Sequence, residues 1–169
     1  MFQEKTSTAI GMSGAVLFVM TLATIVTYLI QNYILVPFKI EYLQTIFFIL
    51  VIASLVQMVE IMLKKVSPSL YQALGVFLPL MATNCAVLGV AILVAKGQIL
   101  GAEDPGLFSG VIFSVGHAIG FGLAMVLFSG LREHLDLMEL PKGMRGVPAA
   151  LIVAGILALA FMGFTGFVK

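Results

Sequence analysis

Charge is scarce in this 169-residue chain: Asp, Glu, Lys and Arg make up 10% of it, against 61% hydrophobic residues and a mean hydropathy of +1.15. A soluble domain carries about 25% charged residues, so a water-facing globular surface is excluded and an integral membrane protein in a lipid bilayer is implied. An excess of positive charge is missing too. The net charge is +1, with no basic stripe to neutralise phosphates, so nucleic acid is not an expected partner. Cysteine is nearly absent, and the single Cys85 excludes an internal disulfide.

What is present is long apolar runs. Spans of membrane length fall at about 9–34, 43–63, 69–95, 107–131 and 147–168, each within or just beyond the roughly 17–25 residues that cross a bilayer. The first is too long for a signal-peptide core of roughly 7–15 residues, and no small-residue cleavage pattern follows it. The connections hold almost all the charge and leave no room for a soluble domain, so residues 1–169 read as a single all-α membrane domain of five transmembrane helices. The longest connection, Arg132 to Arg145, contains Pro141 and Gly143, which predict a non-helical end and an interfacial location. Lys5, Lys64, Lys65, Arg132, Lys142 and Arg145 lie on one side and Lys39, Lys96 and Lys169 on the other. Six against three places the N-terminal side in the cytoplasm and the C-terminus outside.

Small residues predict helix contacts. In the fourth span Gly110, Ser114, Ala118 and Gly122 recur every four residues, with a second row at Gly116, Gly120 and Ala124; in the fifth, Ala150, Ala154 and Ala158 do the same. This spacing lets backbones approach closely in lipid, so both spans are expected to be buried among other helices. Glu60, four residues before Lys64, suits an interfacial ion pair. His117 near the middle of the fourth span could take a proton or a cofactor, but a neutral ring bonded to a neighbouring helix is the simpler reading.

The third span is the unusual one. Leu78-Pro-Leu-Met-Ala-Thr-Asn-Cys-Ala-Val-Leu-Gly89 places a proline and three polar or thiol side chains at membrane depth, where an unpaired polar group costs several kcal/mol. A free cysteine by itself is most often a small buried hydrophobe. Pro79, however, removes a backbone N–H inside a 27-residue stretch, which predicts a broken helix. Half-helices of this kind aim their ends at mid-membrane sites and recur in inverted-repeat folds. Aligning Gly11–Thr24 with Gly116–Ser129 yields three identities in fourteen positions, a faint internal repeat offset by 105 residues. At that offset the counterpart of the cysteine segment would precede Met1.

The run from Ser67 to Ala91 (Ser-Pro-Ser-Leu-Tyr-Gln-Ala-Leu-Gly-Val-Phe-Leu-Pro-Leu-Met-Ala-Thr-Asn-Cys-Ala-Val-Leu-Gly-Val-Ala) resembles the A-type subunits of Rnf electron-transport complexes. Their close relatives are the E-type subunits of the sodium-translocating NADH:quinone reductase, Nqr. Lys5-Thr-Ser-Thr-Ala-Ile-Gly-Met12, Phe18-Val-Met-Thr-Leu-Ala23, Val126-Leu-Phe-Ser-Gly-Leu-Arg-Glu133 and Ala158-Leu-Ala-Phe-Met-Gly-Phe-Thr-Gly166 resemble family segments in the same order. After Asn84-Cys-Ala the chain continues Val-Leu-Gly-Val-Ala, similar to the Rnf A type, and it lacks the Arg-Ala-Glu-like sequence of the D and E type subunits of Rnf.

The resemblance implies a fold of six spans in two inverted three-helix repeats, with the third span here a broken half-helix, in the bacterial inner membrane. It implies a homologous partner subunit of opposite topology, of the Rnf E type, and further Rnf subunits carrying flavin and iron–sulfur centres. Between the two homologues the family holds a two-iron, two-sulfur (2Fe-2S) cluster on two cysteines from each. Cys85 matches the second-repeat cysteine, with Thr83, Asn84 and Gly89 supporting it as polar or close-approach residues. The family's first-repeat cysteine lies in a span before the segment equivalent to Lys5-Thr-Ser-Thr, so these 169 residues supply one ligand of the four that such a cluster usually takes. The implied function is electron transfer across the membrane, with no bond-making catalytic residue, within an ion-translocating ferredoxin:NAD oxidoreductase. The competing expectations are an Nqr E-type subunit, or a small solute or ion transporter in which Thr83 and Asn84 bind the cargo at the broken helix.

Overall fold

The computed structural model describes residues 2–74, 84–97, 106–139 and 141–167, and among these every regular element is helical. Helices are the expected outcome, because an open chain in hydrocarbon satisfies its backbone only by bonding within itself. The elements are α1 (Phe2–Ile30), a π-helical turn (Gln31–Leu35), α2 (Val36–Phe38), a 3-10 turn (Glu41–Leu43), α3 (Gln44–Val66), α4 (Pro68–Leu74), α5 (Cys85–Ala95), α6 (Leu107–Asp136) and α7 (Val147–Phe164).

The ends follow from local chemistry. Pro37 cannot donate the N–H that an α-helical register would bond to the carbonyl four residues earlier. The wider turn over Gln31–Leu35 lies immediately before it, with the Val36 N–H bonded five residues back to the Gln31 carbonyl. The helix then stops at Lys39, which takes a left-handed conformation at φ 53°. α3 runs to Lys64, Lys65 and Val66, where two cations suit the negative end of the helix dipole. Ser67 turns extended ahead of Pro68, as a residue before proline prefers.

Among the described residues four helices are long and apolar enough to cross a membrane: Thr6–Phe38, Gln44–Val66, Leu107–Asp136 and Val147–Phe164. They coincide with the first, second, fourth and fifth predicted spans. The third is not one continuous helix. Its described parts are the seven residues of α4 and the eleven of α5, and Asn84 between them is extended at φ −73°, ψ 105°. Pro79 and the expected break around it lie outside the described residues. At 1.5 Å per residue α5 rises only about 16 Å, near half of a hydrocarbon core of about 30 Å.

Residues 10–122 form one compact unit. Its core is a set of helical stripes: Met12, Val16, Val19, Met20, Ala23 and Thr27 on α1; Phe48, Ile52, Leu55, Val56 and Val59 on α3; Val87, Val90, Ala91 and Val94 on α5. α3 packs against both α4 and α5. The row Gly110, Ser114, Ala118 and Gly122 of α6 is buried as expected. A Cβ on Gly110 would lie 2.6 Å from Val94 Cγ1, and one on Gly122 would lie 3.1 Å from Ser13 Cβ, so the row closes α6 onto α5 and α1. The second row is different: Gly116 and Gly120 are exposed.

Residues 1–9 and 123–169 form the other unit. There α6 stays helical through Asp136, beyond the predicted end of the fourth span, and turns lead on to Gly146 and α7. The expectation that the fifth span is buried among helices is not met within this chain: Ala150 and Ala154 are half-exposed and Ala158 is exposed. The physical reason is that lipid tails are as apolar as leucine, so small-residue spacing permits close packing without compelling it.

Candidate functional site

α5 begins where its capping chemistry dictates. The Asn84 side-chain oxygen accepts the Ala86 N–H at 3.1 Å, and the Asn84 carbonyl accepts the Val87 N–H at 3.1 Å. This is the work of an N-cap asparagine, which takes up donors that the first helical turn cannot pair internally. It accounts for the polar side chain next to the thiol, and it fixes Cys85 as the first residue of the helix.

From that position Cys85 projects as a free, exposed thiol. The opposite face of α5 is anchored by Val87, Val90, Ala91 and Val94, all at 4% exposure or less. Gly89 lies one turn beyond Cys85 on the same side, and a Cβ placed on it would meet nothing within 4 Å. The two residues therefore share an open surface of a helix that is otherwise firmly seated. The positive end of a helix dipole favours negative charge nearby, which is compatible with an anionic ligand set at Cys85. Thr83 lies outside the described residues.

One thiol cannot hold a metal cluster. Among the described residues no group of three or more His, Cys, Asp or Glu side chains could hold a metal ion. A two-iron, two-sulfur cluster usually takes four thiolates, and the described residues supply one, Cys85.

The other ionisable candidates have partners elsewhere. The Tyr71 hydroxyl on α4 donates to Glu60 Oε1 at 3.4 Å, and Lys64 Nζ sits 5.7 Å from the centre of the Tyr71 ring. Tyr71 thus stands in the place of the expected Glu60–Lys64 ion pair, because α4 folds back onto the end of α3. His117 is exposed on α6, with Nδ1 3.1 Å from the Phe113 carbonyl oxygen and its ring 4.2 Å from that of Phe113. Its bond is to its own helix, one turn back, and not to a neighbouring one.

Sequence reasoning missed a buried polar row. Thr24 Oγ1 lies 3.0 Å from Ser114 Oγ and 2.8 Å from the Met20 carbonyl oxygen, and Thr27 Oγ1 donates to the Ala23 carbonyl at 2.6 Å. Gln31 continues the row, and its Oε1, like Gln44 Nε2 on α3, is buried without a partner. The signal was the spacing of Thr24, Thr27 and Gln31, which puts all three on one helix face. Ser114 was legible only as a small residue.

Residues 2–168 match the family described as "Rnf-Nqr subunit, membrane protein". The chain belongs to that family. Over 163 residues it is 53% identical to the A-type subunit of the Na(+)-translocating ferredoxin:NAD(+) oxidoreductase complex of Acetobacterium woodii, an alignment covering 96% of this chain and 82% of that one. It is also 53% identical over 165 residues to the A-type subunit of the ion-translocating oxidoreductase complex of Syntrophotalea carbinolica, covering 98% and 82%. Against the corresponding protein of Pseudoalteromonas translucida it is 51% identical over 166 residues, covering 98% and 83%. Membership in the Rnf-Nqr family agrees with the four membrane-length helices: this is a multi-pass integral membrane protein.

Proposed function

We propose that this chain acts as the A-type subunit of an ion-translocating ferredoxin:NAD oxidoreductase of the Rnf type, and that its part in the complex is electron transfer through the membrane. The observation that carries the proposal is the identity of about half along nearly the whole chain to A-type subunits of such complexes. The exposed placement of Cys85 at the head of a half-length helix supports it.

In this reading Cys85 is one thiolate ligand of a two-iron, two-sulfur cluster shared with a homologous membrane subunit of opposite topology, and the remaining thiolates come from outside these 169 residues. Such a cluster supplies a one-electron carrier. The chain's own residues supply position. Asn84 sets the start of α5 and so the place of the thiol. The buried valine face holds that helix still, while Gly89 keeps the surface beside Cys85 free of side-chain bulk for the partner. Thr83, next to the cap, serves as a supporting polar group. The complex resides in the bacterial inner membrane with the C-terminus of this chain outside, as the distribution of Lys and Arg indicates.

The test is to purify the protein with its homologous partner and record the electron paramagnetic resonance spectrum of the reduced sample. Cys85→Ser is expected to abolish the iron–sulfur signal while both proteins still co-purify. An unchanged signal, with ion-coupled activity intact, would overturn the assignment and favour cargo binding at the broken helix.

A further inference from the structure

We propose that the cleft between the end of α6 and the start of α7 binds the phosphodiester headgroup of an anionic phospholipid. The cleft has a volume of about 330 Å³ and is lined by Arg132, Leu135, Asp136, Met138, Arg145 and Ala149, among others. That volume is at the lower end of the range of small-molecule sites, roughly 300–1,000 Å³.

Charge defines the ligand. Two arginines line the cleft against one aspartate. Among the described residues neither Arg132 nor Arg145 forms an ion pair, whereas Asp136 has an interaction of its own. Arginine presents a planar fork of donors that matches phosphate oxygens in pairs, so two unpaired guanidiniums at one cleft suit a single phosphate. Backbone geometry keeps them there. Gly146 lines the cleft at φ 90°, a conformation open to glycine and strained for other residues, and it turns the chain from Arg145 directly into α7. The first turn of α7 thereby adds the positive end of an 18-residue helix dipole.

The apolar part of the lining favours a lipid over a free phosphate. Leu135, Met138 and Ala149 share the cleft with the arginines. Val147, Leu151, Ile152 and Ile156 continue from it as exposed apolar surface along α7, where acyl chains would lie. The cleft sits at the ends of two membrane-length helices, where headgroups would border the hydrocarbon core. Inorganic phosphate would gain nothing from that apolar surface. The inference rests on membrane residence alone and is independent of the electron-transfer reading, so failure of either leaves the other standing.

The experiment is native mass spectrometry of the detergent-purified complex after incubation with phosphatidylglycerol or with phosphatidylcholine. The wild type is expected to retain phosphatidylglycerol in preference to phosphatidylcholine. R132Q/R145Q is expected to carry one phosphatidylglycerol fewer per copy of this chain and to bind it roughly thirtyfold more weakly, since each interfacial cation contributes about 1 kcal/mol to anionic lipid binding. K142Q, a cation of the same connection that does not line the cleft, is expected to keep the bound phosphatidylglycerol and to weaken it no more than about tenfold, the general interfacial contribution of one cation. Equal retention of the two lipids by the wild type would overturn the proposal, as would full retention by R132Q/R145Q. Displacement of phosphatidylglycerol by millimolar inorganic phosphate would overturn it in favour of a soluble anion. If the double variant fails to assemble, the wild-type lipid preference and R145Q alone decide.

Discussion

The first and last membrane-length helices among the described residues, Thr6–Phe38 and Val147–Phe164, are both strongly apolar, yet the first buries a stripe from Met12 to Gln31 while the last buries only Ala149. The difference lies in what each carries. α1 and the turn after it bring Thr24, Thr27 and Gln31 into the membrane, and polar groups there need internal partners. α7 is almost wholly aliphatic, and lipid is as good a neighbour for aliphatic side chains as protein is. Hydropathy thus decides that a helix enters the membrane, while polar residues and close backbone approach decide which helices form the core.

That contrast can be broken at several points. The largest effect is expected at the core contact: Gly110→Leu would drive a side chain into Val94, which is 2% exposed and β-branched. Overpacking of this kind costs up to about 3 kcal/mol, read as a lower midpoint of unfolding in mixed micelles. A cost below about 0.5 kcal/mol would mean that α5 and α6 do not pack as described. Asn84→Ala removes the cap of α5 and is expected to cost about 1 kcal/mol in the same assay. On the proposed cluster ligation, the electron paramagnetic resonance signal of the complex should broaden as well, because the Cys85 thiol loses its fixed position.

Gly89→Ala separates stability from assembly. A Cβ at Gly89 meets nothing within this chain, so the isolated protein is expected to gain about 0.5–1 kcal/mol from helix propensity. If the partner approaches that surface, recovery of the two-protein complex by co-purification falls instead. The smallest effect is expected on α7, where Leu159→Ala, at an exposed position, should change stability by less than about 0.5 kcal/mol. A loss above 2 kcal/mol would show that α7 is covered in that preparation.

Much of the architecture was legible in the sequence because the signals are local. Apolar runs of sufficient length located the four long helices among the described residues. Asn84 was expected only as a polar support beside Cys85, and its part as the cap of α5 emerged from the structure. Small-residue rows were a poorer guide. The row through Ser114 is buried, and the rows through Gly116 and Ala154 are not, because spacing identifies a face that can pack without identifying the helix that covers it. The pairing of Glu60 with Tyr71, in place of Lys64, likewise depended on α4 folding back.

By itself the sequence determined that this protein lives in a membrane, that Cys85 is its one thiol, and which family it resembles. These follow from composition, from counting and from contiguous motifs. Only the tertiary structure decided that Cys85 stands exposed at the first turn of a half-length helix, that Thr24 meets Ser114 across ninety residues of chain, and that Arg132 and Arg145 converge on one cleft. Each of these depends on where separate segments come to rest against one another. In a bilayer, where burial of apolar surface gives little direction, that choice falls to a few hydrogen bonds, caps and close contacts.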